Sequence, residues 1–258
     1  MSKIKIFDPS SYPDPINEIR QKLNFIPKDV KIKLCTTNYL LDDICSFIWN
    51  EGHPIFNLHQ ELKTELLQHE IIAFHNTRII DPNSILTNGL KFADRDYIKR
   101  IHESMIKAGI DQKRMKEILS ALNIEINRHE ISGKNTRKNK VCFIYDMDYY
   151  EYYDKFLAIF GGEFMDFGLS DKLKYKDIVK LGKPYVIEFY IPFEWISNII
   201  IDIARIMLED WIHRDIRKDA TQHRYDGWVE QEIPPSSIIN LHKVDDYFPE
   251  TDDWFFQS

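Results

Sequence analysis

The spacing of apolar residues constrains this chain most. Residues 71–74, 141–145, 184–191, 227–233 and 238–244 are short runs of strand length, rich in β-branched and aromatic side chains. Residues 40–49, 57–69, 97–126 and 197–211 instead place apolar side chains three and four apart, as amphipathic helices do. The two kinds do not alternate regularly, so a doubly wound or barrel layout is disfavoured and an α+β fold is expected. Within the helical stretch 97–126, Gly109-Ile110-Asp111 predicts a break and hence a helical hairpin. Asp81-Pro82-Asn83-Ser84 predicts a turn and a helix start, and Asn88-Gly89 its close.

Other segments give local expectations. The first 25 residues, with Pro13 and Pro15, read as an irregular arm. In residues 30–34 Lys alternates with Val30, Ile32 and Leu34, which predicts a half-buried strand. Residues 128–140 hold Gly133 and the basic Arg128, Lys134, Arg137, Lys138 and Lys140, which predicts a flexible loop. An aromatic helix is expected over 149–160, ended by Gly161-Gly162.

Composition narrows the function classes. A chain of 258 residues is long enough to bury a core without staples. Its 34 Lys and Arg against 41 Asp and Glu give a net charge of -7, which disfavours whole-surface binding to nucleic acid but leaves room for a local basic groove. Cys35, Cys45 and Cys142 have no metal-like spacing and read as reduced, mostly buried thiols. The apolar stretch 195–211 carries Asp202, Arg205, Glu209 and Asp210 and is too short and too charged to span a bilayer. With no signal peptide visible at the N-terminus, a cytoplasmic protein is expected, with no membrane partner.

Several familiar site motifs are missing. The sequence lacks Gly-x-Gly-x-x-Gly and a Gly-Lys-Ser/Thr phosphate loop. His69-Glu70 stands too far from His75 for a zinc-binding helix pair, so no metal is expected. His213-Arg214-Asp215 has no Asn at the spacing of a kinase loop and reads as a solvated helix end.

Three segments carry polar residues where chemistry could occur. Residues 71–78 form a buried strand ending in His75-Asn76-Thr77-Arg78. Residues 141–153 hold Tyr145, Tyr149, Tyr150, Tyr152 and Tyr153, whose rings can stack and whose hydroxyls can reach water. In the third, Glu230 and Glu232 would share one face of a strand beside Trp228, an unfavourable pairing of like charges unless it serves a function. Each segment alone is also compatible with ordinary structure.

Taken in order, these segments resemble the ADP-ribosyltransferase superfamily. Phe74-His75-Asn76-Thr77 followed by Ile85-Leu86-x-x-Gly89-Leu90 is similar to that family's opening aromatic-His-x-Thr and Ile-Leu-x-x-Gly-Leu pattern, especially in DarT-type enzymes that modify DNA and in RNA-directed or protein-directed relatives. The strand at 141–145 with its tyrosines is similar to the second motif, and Glu230-x-Glu232 before Pro234-Pro235 to the catalytic-glutamate strand. The spacing around Tyr145 and the central hairpin depart from the family pattern. The resemblance implies an ADP-ribosyltransferase-like split mixed/antiparallel β-sheet core with surrounding helices and a helical insertion. It implies an N-terminal region over 1–70, a catalytic core over 71–245 with its insertion at 97–127, and a tail over 246–258.

The implied activity is transfer of ADP-ribose from NAD, a substrate rather than a resident cofactor, to DNA, RNA or protein, with nucleic acid slightly favoured. A bacterial toxin or phage-defence effector, neutralised by an antitoxin partner, is the implied setting. His75 would hydrogen-bond a ribose hydroxyl, main chain near Asn76 would hold the nicotinamide amide, and Thr77 would brace the strand end. Arg78 would pair with a phosphate. Tyr145 or Tyr149 would stack on nicotinamide, and Glu230 and Glu232 would be the catalytic carboxylates, their division of labour left open. The alternatives are an NAD glycohydrolase, a relative of RNA 2'-phosphotransferases, and a non-catalytic interaction module of the same fold.

Overall fold

The computed structural model describes residues 1–36, 40–92, 95–131, 139–147, 182–196, 202–219 and 225–244. The chain forms two compact units, Met1–Ala73 with Tyr190–Gly227, and Phe74–Phe189 with Trp228–Ser258. It is an α+β protein.

In the first unit, strand β1 (Lys3–Ile4) pairs in parallel with the start of β2 (Glu70–Ile79). Helices α1 (Asp14–Gln21), α2 (Lys28–Thr36), α3 (Leu40–Ile48) and α4 (Pro54–Leu66) follow β1. Helices α8 (Phe193–Ile196) and α9 (Ile203–Trp211) return to this unit, and a wider π turn, Ile212–Arg217, continues α9. Helix α4 begins where Pro54 fills a position that needs no N–H and His53 accepts from the Ile55 N–H. Its Ile55, Leu58, Leu62 and Leu66, three and four apart, are all buried. Asp202 caps α9 by accepting from the Ala204 and Arg205 N–H groups at 3.1 and 3.4 Å. The same carboxylate meets Nε2 of buried His59 on α4 at 2.5 Å. Tyr12 donates to the Ile6 carbonyl and receives the Trp211 indole N–H, so two large buried rings keep their polar atoms bonded.

Three expectations are corrected in this unit. Residues 30–34 are not a strand but part of α2. A strand would put Val30, Ile32 and Leu34 on one face. Instead Val30 and Leu34, one turn apart, point inward and Ile32 is exposed, as a helix requires. The first 25 residues are not an irregular arm: they contain β1, α1 and the buried Ile4, Ile6, Ile16 and Leu23. The helix expected over 197–211 starts at Ile203, behind its Asp202 cap, and residues 197–201 lie outside the described residues.

In the second unit the sheet has the strand order β5-β3-β2-β4-β6, with β3 at Val141–Ile144, β4 at Lys183–Pro192, β5 at Asp226–Val229 and β6 at Ile238–Lys243. Strands β2 and β3 are antiparallel with Phe74 opposite Ile144. Strands β4 and β6 are antiparallel from Tyr185 opposite Lys243 to Phe189 opposite Ile238, with a bulge at Glu188 and Phe189. Helix α5 (Pro82–Asn88) has Asp81 as its N-cap and Gly89 as its C-cap, as the sequence predicts. Helices α6 (Arg95–Lys107) and α7 (Gln112–Ile131) form the expected hairpin, turning at Gly109 with φ +70°.

Strand β5 is shorter than the 227–233 run suggests. It stops at Val229, and Ile233 pairs instead with Leu90 in an isolated antiparallel bridge. Pro234 and Pro235, which lack N–H donors, then lead into a single 3-10 turn. The loop expected over 128–140 is helical up to Ile131, and residues 132–138 lie outside the described residues. So do the aromatic helix expected over 149–160 and the tail. None of the three cysteines is fully buried: Cys35 is exposed, and Cys45 and Cys142 are half-buried. Among the described residues no helix is long and apolar enough to cross a membrane.

Candidate functional site

Strand alternation splits the His75-Asn76-Thr77-Arg78 segment between two faces of the sheet. His75 and Thr77, both half-buried, point to one side, and Asn76 and Arg78, both buried, point to the other. The Nδ1 atom of His75 lies 2.7 Å from the Cys142 carbonyl on β3. A carbonyl can only accept, so Nδ1 carries the proton and Nε2 presents a lone pair. Desolvation by the surrounding protein outweighs the bond to Cys142 and holds the His75 pKa below the ordinary imidazole value. The ring is therefore neutral at pH 7, with one nitrogen anchored and the other an acceptor.

The opposite face is built differently. Arg78 is 5% exposed and its guanidinium donates to the Gly182 carbonyl at 2.7 Å. Gly182 has φ +75°, and a Cβ there would stand 2.6 Å from the Ile79 carbonyl oxygen, so the close approach needs glycine. Asn76 is 6% exposed, and neither atom of its side-chain amide has a hydrogen-bond partner among the described residues. Tyr145, just past β3, is 1% exposed and meets Phe143 edge-on at 5.3 Å, while Phe143 meets Phe189 edge-on at 6.0 Å. Tyr149 lies outside the described residues.

The two glutamates do not share a strand face, because β5 ends before them. Glu230 is exposed and forms no ion pair among the described residues. Glu232 is half-buried: Oε2 meets Lys91 Nζ at 2.7 Å, and Oε1 accepts the Phe92 N–H at 3.3 Å. Burial opposes ionisation of Glu232, but Lys91 and the Phe92 N–H outweigh it and hold the carboxyl below its usual range. Beside this tie, Leu90 and Ile233 exchange both backbone hydrogen bonds, at 2.9 and 3.0 Å. Arg100 on α6 donates to the Phe92 carbonyl at 3.0 Å, holding the same segment from its other side. On β5, the half-buried Trp228 carries Lys140 Nζ at 4.5 Å from its ring centroid.

Sequence reasoning missed Lys91 and Phe92, although they directly follow the Gly89-Leu90 that marks the end of α5. It also missed the buried Glu188, whose Oε2 meets His242 Nε2 at 2.8 Å across β4 and β6. Of residues 213–215, read as a solvated helix end, Arg214 and Asp215 form part-buried ion pairs instead, while His213 meets Asp219 at the surface. Asp215 receives Arg20 in a two-pronged bond at 2.7 Å, and Arg214 reaches the fully buried Asp210. His69 is held by Ser2 and Glu65. No cluster of metal-ligating side chains occurs among the described residues.

No family model matches this chain, and neither the curated proteins nor the solved structures give a match.

Proposed function

We propose that the chain is an NAD-dependent ADP-ribosyltransferase that passes ADP-ribose to a macromolecular acceptor, nucleic acid in preference to protein, as a toxin or phage-defence effector would. The observation that carries this reading is the fixed, neutral tautomer of His75. With Nδ1–H bonded to the Cys142 carbonyl, Nε2 is an acceptor for a sugar hydroxyl, as an NAD ribose requires. A protonated imidazole would offer only donors. The order of the His75 strand, the β3 aromatics and a glutamate-bearing segment after β5 agrees with the same chemistry.

In this reading the bond between nicotinamide and the ribose anomeric carbon breaks, and its electron pair leaves with nicotinamide. Positive charge builds on the ribose, where a carboxylate stabilises it. His75 holds the ribose hydroxyl, and the acceptor nucleophile then bonds the anomeric carbon and gives up its proton. The acidic chain needs a local basic surface to meet nucleic acid, and Lys140 beside Trp228 supplies a cation and a stacking ring.

The test is incubation of the full chain with NAD labelled in its adenylate, with DNA, RNA or cell lysate as acceptor, and with nicotinamide release followed in parallel. Label on nucleic acid with matching nicotinamide release is the expected result. Free ADP-ribose with no labelled acceptor would point to NAD hydrolysis, and no nicotinamide release from folded protein would refute the enzyme reading.

A further inference from the structure

We infer that the two glutamates have separate duties: Glu232 is a positioning residue that ties residues 230–233 to the end of α5, and Glu230 is the carboxylate that meets the substrate. This rests on the ADP-ribosyltransferase reading and deepens it.

The geometry of the two carboxylates is unequal. Glu232 has one oxygen on the Lys91 ammonium at 2.7 Å and the other on the Phe92 N–H at 3.3 Å. An ammonium at that distance cancels most of the field the carboxylate would exert on a positive ribose, so Glu232 is a poor stabiliser of that charge. What it does well is hold two chain segments together. Leu90 and Ile233 add two backbone bonds to the same junction. Gly89 completes it: a Cβ there would fall 1.9 Å from the Ile233 carbonyl oxygen. Residues 89–92 and 232–233 are therefore joined by a carboxylate-ammonium pair, a carboxylate-amide bond and a two-bond bridge.

Glu230 lies between this junction and the end of β5 at Val229. Its backbone is fixed from both sides, while its carboxylate is exposed and forms no ion pair among the described residues. It sits on a backbone whose position Glu232 sets. A carboxylate that is accessible and held from behind suits electrostatic stabilisation of the ribose. The like-charge pairing that a shared strand face would impose does not arise here, because β5 ends at Val229, before both residues.

The experiment compares nicotinamide release and thermal melting for the full chain and for Glu230→Gln, Glu232→Gln, Lys91→Met, Lys91→Arg and the double variant Lys91→Met/Glu232→Gln. Glu230→Gln is expected to lower kcat by about 100-fold or more with the melting temperature and the KM for NAD unchanged. Glu232→Gln and Lys91→Met are each expected to lower the melting temperature and to lower kcat roughly 10-fold, less than Glu230→Gln does. The double variant should be no worse than either single one, and Lys91→Arg, which keeps the ion pair, should stay near wild type. The inference is overturned if Glu232→Gln loses as much kcat as Glu230→Gln while melting normally. Independent, additive losses from Lys91 and Glu232 would overturn it as well. A folded wild type that releases no nicotinamide defeats the enzymatic reading itself, and Glu230's role with it.

Discussion

Gly89→Ala is the most direct test of how residues 89–92 and 230–233 are joined. Gly89 adopts φ 74° and ψ -164°, a region visited almost only by glycine, where another residue costs about 1–3 kcal/mol. The added Cβ would stand 1.9 Å from the Ile233 carbonyl oxygen and 2.9 Å from the Pro234 carbonyl carbon. Both are backbone atoms, so no side-chain rotation relieves the clash. The remaining escape is to separate Leu90 from Ile233, which loses two backbone hydrogen bonds of about 0.5–1.5 kcal/mol each. Together these give a destabilisation of about 2–6 kcal/mol, or roughly 4–24 °C in melting temperature for a chain of this size. Circular dichroism melts measure the global effect, and hydrogen exchange at the Leu90 and Ile233 amides measures the local one. Those two amides should lose protection by roughly 100-fold or more even if the rest of the unit holds. A melting shift below about 2 °C, with both amides still protected, would refute the packing argument.

Three further outcomes follow from the structure. Asn76→Val removes a buried amide that has no partner among the described residues and replaces it with a strand-favouring side chain, so urea unfolding should show a gain of about 1–3 kcal/mol. Asp202→Ala removes the cap of α9 and the partner of buried His59, for a loss of about 2 kcal/mol or more in the same assay. Burial disfavours the charged Asp202, yet His59 and the Arg205 N–H overcome it and hold its pKa low. Its stabilisation is therefore present above about pH 4 and lost as pH falls through the lower folded value, and Asp202→Ala should lose that acid limb. The His75 pKa is depressed, so folding favours its neutral form: its contribution is full above about pH 6.5 and falls as pH drops below that. Nicotinamide release should accordingly persist below pH 6.5, and a loss of activity centred on the ordinary imidazole value would contradict the enclosed neutral ring.

The legible parts of the fold were those with local causes. The Asp81 cap, the Gly89 stop, the turn at Gly109 and the β2 strand each depend on residues within a few positions of one another, and each is present. Where the sequence misled, a distant partner or a competing period decided. Residues 30–34 fit both a two-residue and a helical repeat, and the burial of Leu34 without Ile32 selected the helix. Residues 227–233 looked like one strand, but Ile233 found Leu90, far away in sequence, and β5 ended early. The site was legible as residue types and less so as geometry. His75 could be picked out, but its tautomer depends on the Cys142 carbonyl, 67 positions away. The duty of Glu232 depends on Lys91, 141 positions away. Arg78, a natural phosphate ligand by its chemistry, is turned to the opposite face by strand alternation and bound to the Gly182 carbonyl.

Strand β6 ends the sheet among the described residues, and such a strand has consequences beyond this molecule. Its outer row of amide and carbonyl groups is a template on which a second chain can add. Several features blunt it: the bulge opposite its start, its six-residue length, and the exposed Asn240 and Lys243. Ile239, 42% exposed, works the other way. Exposed Lys243, at the end of β6, is a side chain of the kind that opposes such pairing. Charge removal there would show up first as turbidity at high protein concentration, well before any change in folding or chemistry.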